Sequence, residues 1–251
     1  MTAAYKLVAL AEVDSTNSYV RRCAALLDDR TVVVAGRQSS GRGRDGRGWY
    51  TDEEGGLALS ILLKNRELLQ RRSENVAGLT QFAAVLLCRM CAELGIEPSL
   101  KWPNDVLVGE KKIAGILSEA LAGTNGLEAV VIGIGMNLNT TPARLATIGR
   151  PAASIAAETG KLVDKNNFMR KLLDMFFEKY EAFLVKGFSE ILDEYRRFFS
   201  PFVGRFVQVS SAGVAFSGKV LGIDDAGRLL LEDEATGKTG IVAGEMTCVT
   251  N

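Results

Sequence analysis

Apolar and polar positions follow two different periods along the chain, and the switches between them outline its elements. "STNSYVRRCAALLDD" at 15–29 has helical spacing, with Asp14 or Ser15 available as N-cap, and predicts a helix. "TVVVAG" at 31–36 and "GGLALSILL" at 55–63 are short apolar runs that predict buried strands. "ENVAGLTQFAAVLLCRMCAELG" at 74–95 predicts one long helix ending at Gly95. "LKWPNDVLVGEKKIAGILSEAL" at 100–121 predicts a strand hairpin turning near Gly109, and "LEAVVIGIGMNLN" at 127–139 a further buried strand. Residues 151–200 return to the helical period: Phe168, Leu172, Phe176, Tyr180 and Phe183 recur every three or four positions, a stripe that belongs to the core, and Gly187 interrupts before "FSEILDEYRRFFSP". From Pro201 short strands are broken by "DDAG" and "EATGK", as in a small β-barrel. The pattern predicts an α+β chain: a mixed sheet with helices over 1–200, a β-barrel over 201–251, and a boundary near residue 201.

Composition narrows the chemistry more than the fold. The 251 residues are 47% hydrophobic with mean hydropathy +0.10, enough for a full core. Thirty basic residues balance thirty acidic ones, so no global field argues for nucleic acid or membrane as the main partner, and any anion recognition is local. The N-terminus has no basic segment leading into an apolar signal core, and no apolar run approaches the ~20 residues of a membrane span. With unpaired-looking cysteines, this gives the cytoplasm as the expected location. Cys88 and Cys91 form C-x-x-C inside an apolar helical pattern without a second ligand pair, and are expected to be core thiols. Histidine is absent, which removes Ser-His-Asp and Cys-His nucleophiles and histidine-held metals. Chemistry here must run on charge and positioning.

The charge is concentrated in "QSSGRGRDGRGW", Gln38–Trp49, where four glycines alternate with Arg42, Arg44 and Arg47. Its G-x-G-x-x-G match is not followed by the helix a dinucleotide site needs. "GKT" at 237–239 lacks the glycine of a P-loop, Glu232 standing in its place, and is expected to be a turn. An RGG-like nucleic-acid segment would be longer and less embedded. "KWPND" at 101–105 and "KKIAGIL" at 111–117 would place Lys101 and Lys112 on neighbouring arms of one hairpin. Three arginines, two lysines and a tryptophan suit a site where a carboxylate meets a nucleoside triphosphate.

"DSTN", "GRGRDGRGW", "KWPND", "KKIAGIL" and "GIGMNLN", in this order and approximate spacing, resemble the biotin protein ligases, and the resemblance extends over nearly the whole chain. It implies a mixed sheet of the class II aminoacyl-tRNA synthetase/biotin synthetase type with a C-terminal SH3-like barrel. The implied reaction joins biotin and ATP as biotinyl-5'-AMP and passes biotin to a lysine of a biotin carboxyl carrier protein, with Mg2+. Lys112, Arg42 and Lys101 are the implied catalytic residues. Ser15, Thr16, Asn17, Gln38, Arg42, Gly43, Arg44, Lys112, Gly115 and Gly135 would bind biotin. Arg42, Arg44, Arg47, Trp49, Lys101, Asn104, Lys112 and Asn137 would bind ATP or the adenylate, with Trp49 packing on adenine, and Asp105 would hold Mg2+ or its water shell. Ser15 and Thr16 can equally cap a helix, and Gly115 and Gly135 can equally mark bulges. Asp45 stands where the family loop often has a second arginine. Thirteen residues precede "DSTN", too few for a helix-turn-helix, so no specific DNA binding is expected; a homodimer is compatible with the resemblance. A lipoate or octanoate ligase or transferase of the same superfamily is the alternative.

Overall fold

A computed structural model describes residues 5–51, 55–124, 126–211, 213–233 and 237–249. In chain order the first sheet and its helices are β1 (Lys6–Val13), α1 (Thr16–Cys23), β2 (Thr31–Gln38), β3 (Gly56–Leu63), α2 (Arg66–Arg71), α3 (Ser73–Val76), α4 (Leu79–Glu93), β4 (Pro98–Lys101), β5 (Asp105–Val108), β6 (Lys111–Gly123) and β7 (Gly126–Asn137). Helices α5 (Pro142–Ala146), α6 (Ile155–Thr159), α7 (Lys165–Lys186) and α8 (Leu192–Phe199) follow. The second sheet holds β8 (Phe206–Ser211), β9 (Val214–Ile223), β10 (Leu229–Asp233), β11 (Gly237–Ile241) and β12 (Glu245–Cys248).

The first sheet runs β1-β2-β3-β7-β6-β5-β4, parallel only between β1 and β2, so it is the mixed sheet of an α+β fold. One face packs on α4 and α8, and α7 packs on α4, where Phe82 stacks on Phe183 at 5.0 Å and meets Phe176 edge-on at 5.4 Å. Each such buried aromatic contributes roughly 1.5–3 kcal/mol through burial, which is why the stripe on α7 fixes that helix. The other face is covered in part by α1, through a smaller cluster of Val20, Val33, Leu62 and Val131. The rest of that face is open for a site. The second sheet, β11-β10-β9-β8-β12, is the antiparallel sheet of an SH3-like unit, and its buried residues are continuous with the main core.

Several expectations need correcting. β1 was not predicted: its burial follows no clean alternation and Leu7 is half-exposed, as on an edge strand. Helix α1 stops at Cys23, well short of residue 29. The single helix over 74–95 is broken between α3 and α4 next to Gly78, where a Cβ would lie 2.8 Å from the Phe183 ring. The expected hairpin is three strands with two turns: Trp102–Asn104 joins β4 to β5, and Gly109, at φ +57°, turns β5 into β6. Lys101 and Lys112 therefore lie on β4 and β6 with β5 between them. "GKT" lies in β11 and is no turn. "DDAG" does turn between β9 and β10, whereas residues 234–236 of "EATGK" lie outside the described residues.

Candidate active site

Cross-strand register builds the floor of the site. Ala58 on β3 pairs with Gly135 on β7, Gly135 with Gly115 on β6, Gly115 with Asp105 on β5, and Asp105 with Lys101 on β4. Paired residues point to the same face, so one transverse row runs from small side chains to a carboxylate and an amine. Neither glycine pairing is itself interrupted; the register shift of β6 lies nearby, where one extra residue separates Lys112 from Ala114 against β5. Strict alternation would put Lys112 and Gly115 on opposite faces, but the bulge brings both into one cavity. Beyond it, the Lys112 backbone pairs with the 151–153 segment through Pro151 O and Ala153 N.

A pocket of mixed polar and apolar lining lies over this floor. Its polar end comes from α1 and β2: the Thr16 N–H and hydroxyl both donate to Gln38 Oε1, at 2.8 and 3.2 Å, and Gln38 Nε2 donates to Thr51 Oγ1 at 3.2 Å. Ser15 caps α1 by accepting from Ser18 N, so its predicted capping role is present alongside its place in the pocket lining. Asn17 fills the space beside Gly133, where a Cβ would lie 2.2 Å from its Oδ1. Its amide is committed: Nδ2 donates to Leu117 O and Glu119 Oε2, and the Ser60 hydroxyl lies 2.5 Å from Oδ1. Asn17 thus shapes the pocket wall.

The arginine loop closes the mouth as a miniature hairpin. Arg42 bridges Gly48, Trp49 N donates to Gly41 O, and Arg47 N donates to Arg44 O around Asp45 and Gly46, both at positive φ (53° and 74°). Asp-Gly is the pair a tight turn of that hand favours, which gives Asp45 a backbone role where a cation was missing. Each arginine is anchored differently. Arg42 pairs with Glu119 at 3.2 Å, Arg44 donates to Asn104 Oδ1 at 3.4 Å, and Arg47 pairs with Glu245 on β12 of the second sheet. Asn104 in turn donates to Ile116 O. Trp49 lies on the floor itself: a Cβ on Gly135 would stand 2.3 Å from its ring, and its buried Nε1 has no hydrogen-bond partner among the described residues. An unmet buried donor costs about 1–3 kcal/mol and marks a place for an acceptor.

Lys112 sits at the junction of pocket and mouth. Its Nζ is 2.6 Å from Asp105 Oδ1 and 5.6 Å from the centre of the Trp49 ring. Burial holds its amine below the ordinary lysine range; Asp105 restores part of that, and the charges of Arg150 and Lys101 lower it further. The mouth is lined by Arg44, Arg47, Lys101, Lys112 and Arg150 against Asp45, Asp105 and Glu245. Asn137 is buried with Nδ2 on Ala153 O, lining a side cavity with Trp49, Tyr50, Lys112 and Arg150. The predicted residues therefore converge, Gly43 included. Sequence reasoning missed Ser60, Glu119, Arg150 and Glu245, none of which falls in a recognisable motif. Among the described residues no group of three or more cysteines and acids could hold a metal ion, and Asp105 is the carboxylate at Lys112.

Residues 10–137 match the biotin/lipoate A/B protein ligase family. A biotin--[acetyl-CoA-carboxylase] ligase of Paracoccus denitrificans is 35% identical over 247 residues, covering 94% of this chain and 98% of the relative. The bifunctional ligase/repressor BirA of Bacillus subtilis is 34% identical over 204 residues, covering 80% of this chain. The chain spans about three fifths of the length of that protein and of its Bacillus spizizenii counterpart (61% and 62%). Among solved structures, a biotin protein ligase from Aquifex aeolicus in complex with biotin and ATP matches with TM-score 0.78 and 32% identity over 98% of this chain and 99% of that one.

Proposed function

Since the chain belongs to the biotin/lipoate A/B protein ligase family, we propose that it joins biotin to ATP as biotinyl-5'-AMP and then transfers biotin to a lysine of a biotin carboxyl carrier protein. The observation that carries this reading is the place of Lys112: a desolvated amine between a glycine-floored pocket with one polar end and a cation-lined mouth. Biotin's ring and valeryl chain suit the first, with Ser15, Thr16 and Gln38 for the ureido group; a triphosphate suits the second.

In the first half-reaction a carboxylate oxygen attacks the α-phosphorus, the bond to the β-phosphoryl oxygen breaks, and pyrophosphate leaves with the electron pair. No proton has to move, which fits a site without histidine. Two anions must approach, so neutralising and aligning them is the main task. Lys112 bridges carboxylate and α-phosphate, and Arg42 and Arg44 fold over the adenylate, exchanging their contacts with Glu119 and Asn104 for it. Trp49 swings off Gly115 and Gly135 to admit ligand and packs on adenine beside Asn137. In the second half-reaction the neutral acceptor amine attacks the biotinyl carbonyl, the bond from that carbon to the phosphate oxygen breaks, AMP leaves with the electron pair, and the amine gives up one proton to water.

Mg2+ enters this reading with the triphosphate. A single carboxylate, Asp105, beside phosphates fits an ion that keeps most of its water and takes one or two protein ligands. Residues 1–200 form the catalytic unit and 201–251 the barrel, working in the cytoplasm. The test is AMP formation by the purified chain with ATP, a carrier domain and biotin, lipoate or octanoate, followed by mass spectrometry of the carrier lysine. Biotin-dependent AMP and a single biotinylated lysine are expected; turnover with lipoate or octanoate in place of biotin would overturn the reading.

A further inference from the structure

Three of the six cations around the site are already neutralised by carboxylates: Arg42 by Glu119, Arg47 by Glu245 and Lys112 by Asp105. Arg44 has the Asn104 side chain. Lys101 and Arg150 have no acidic partner among the described residues, and the one hydrogen bond of the Arg150 guanidinium is a long one, 3.5 Å, to the Gly48 carbonyl. These two cations line the mouth and not the deep pocket, whereas Lys112, Trp49, Arg44 and Asn104 line both. Arg150 is close enough to Lys112 for its charge to oppose protonation of that amine. Two cations left without a carboxylate partner in a concave mouth that holds three more are a cost to the free protein. The cost is relieved by a ligand that brings several negative charges at once.

We infer that Arg150 receives the β- and γ-phosphates of ATP, opposite Lys101, and stabilises the charge that collects on pyrophosphate as it leaves. This rests on the ligase reading. The placement follows from the order of the cavities: the carboxylate and α-phosphate meet at Lys112, so what extends outward from the α-phosphorus into the mouth is the rest of the triphosphate. Arg150 is carried there by the segment 151–153, which pairs with the Lys112 backbone, so the same local structure sets both cations. A guanidinium is suited to the task because its planar donors meet two phosphate oxygens together and it is charged at every working pH.

The test compares Arg150→Ala, Arg150→Gln and the wild type in biotin-dependent exchange of labelled pyrophosphate into ATP, and in transfer from preformed biotinyl-5'-AMP to a carrier domain. Loss of a charge-assisted phosphate contact should raise KM for ATP by roughly tenfold to a hundredfold in both variants, with KM for biotin unchanged. Transfer from the preformed adenylate, which has no β- or γ-phosphate, should slow far less than exchange, although Arg150 also borders the side cavity of Trp49 and Asn137. Arg150→Gln keeps a donor for the Gly48 carbonyl without the charge; if it behaves as wild type, Arg150 serves the loop and the inference falls. It also falls if KM for ATP stays within about twofold, or if transfer from the adenylate slows as much as exchange. A wild-type chain that exchanges no pyrophosphate with biotin present fails the ligase reading itself, a separate outcome.

Discussion

The amine of Lys112 lies where a side chain on Gly115 would begin: a Cβ built on Gly115 stands 2.8 Å from both Lys112 Cε and Nζ. The glycine is therefore a spacer for the lysine, with Trp49 Cζ3 next at 3.4 Å. Gly115→Ala should leave the fold intact, since the crowded atoms are the end of a flexible side chain and alanine in a strand restricts the unfolded chain by about 0.4–1 kcal/mol. It should displace the amine by about an ångström and slow adenylate formation ~100-fold. Lys112→Ala, which removes the charge, should cost ~100- to 1000-fold. Single-turnover adenylate formation, alongside thermal melts, separates the two; an unimpaired Gly115→Ala would show that the amine acts from elsewhere.

Burial of Lys112 sets opposite pH trends for stability and activity. The folded protein releases this proton at lower pH than an unfolded lysine, near 10.5. Between the two values the unfolded chain binds more protons, so the contribution of Lys112 to unfolding free energy rises with pH across that window. Below it the amine is charged in both states and its burial cost is carried in full. Adenylate formation needs the charged amine, so its alkaline limb should begin below pH 10.5. In Lys112→Arg the limb should move up even where the rate is lower, since guanidinium keeps its proton. Rate profiles from pH 7 to 10.5, with melts of wild type and Lys112→Met, check both trends; a limb unmoved in Lys112→Arg assigns it to another group.

Strands with continuous apolar runs, the aromatic stripe of α7 and the motif residues were legible in the sequence because each leaves a local signal. What was not legible is non-local. The bulge that turns Lys112 toward Gly115 is a mismatch between two strands, and nothing in "KKIAG" alone announces it. Glu119 reads as a surface charge on a strand, yet its carboxylate gathers Asn17, Arg21 and Arg42 from two other elements. Asp45 read as a defect in a basic loop, and only its positive φ gives the reason for it.

The C-x-x-C pair should be chemically inert. Cys88 and Cys91 are fully buried on α4, and burial pushes the Cys91 thiol up to about 12 and that of Cys88 well above its ordinary value. Since the thiolate is the reactive form, a thiol reagent at pH 8 should modify Cys23 and Cys248, which are partly exposed, and reach the other two only after denaturation. Fast native modification of all four thiols, or tight zinc binding, would contradict the core assignment.

The turn between β9 and β10 ties the second sheet to "KWPND" through one carbonyl. Gly227 O accepts from Trp102 Nε1 at 3.2 Å and from Gln81 Nε2 at 2.9 Å. A carbonyl with two donors tolerates losing either but not both, because only the second loss leaves a buried acceptor without a partner. Trp102→Phe and Gln81→Met should each cost about 1 kcal/mol, or roughly 2–4 °C in melting temperature for a chain of this size. The double variant should fall short of wild type by more than the sum, with a coupling of about 1 kcal/mol or more. Gly227→Ala attacks the same joint from the backbone, placing a side chain at φ +79° with its Cβ 2.6 Å from the Phe188 ring, and should be the most destabilising single change of the three. Denaturant unfolding of the four variants measures these differences. Simple additivity of Trp102→Phe and Gln81→Met would mean that the carbonyl finds water once either donor is gone, and that the turn is not the latch between the two sheets.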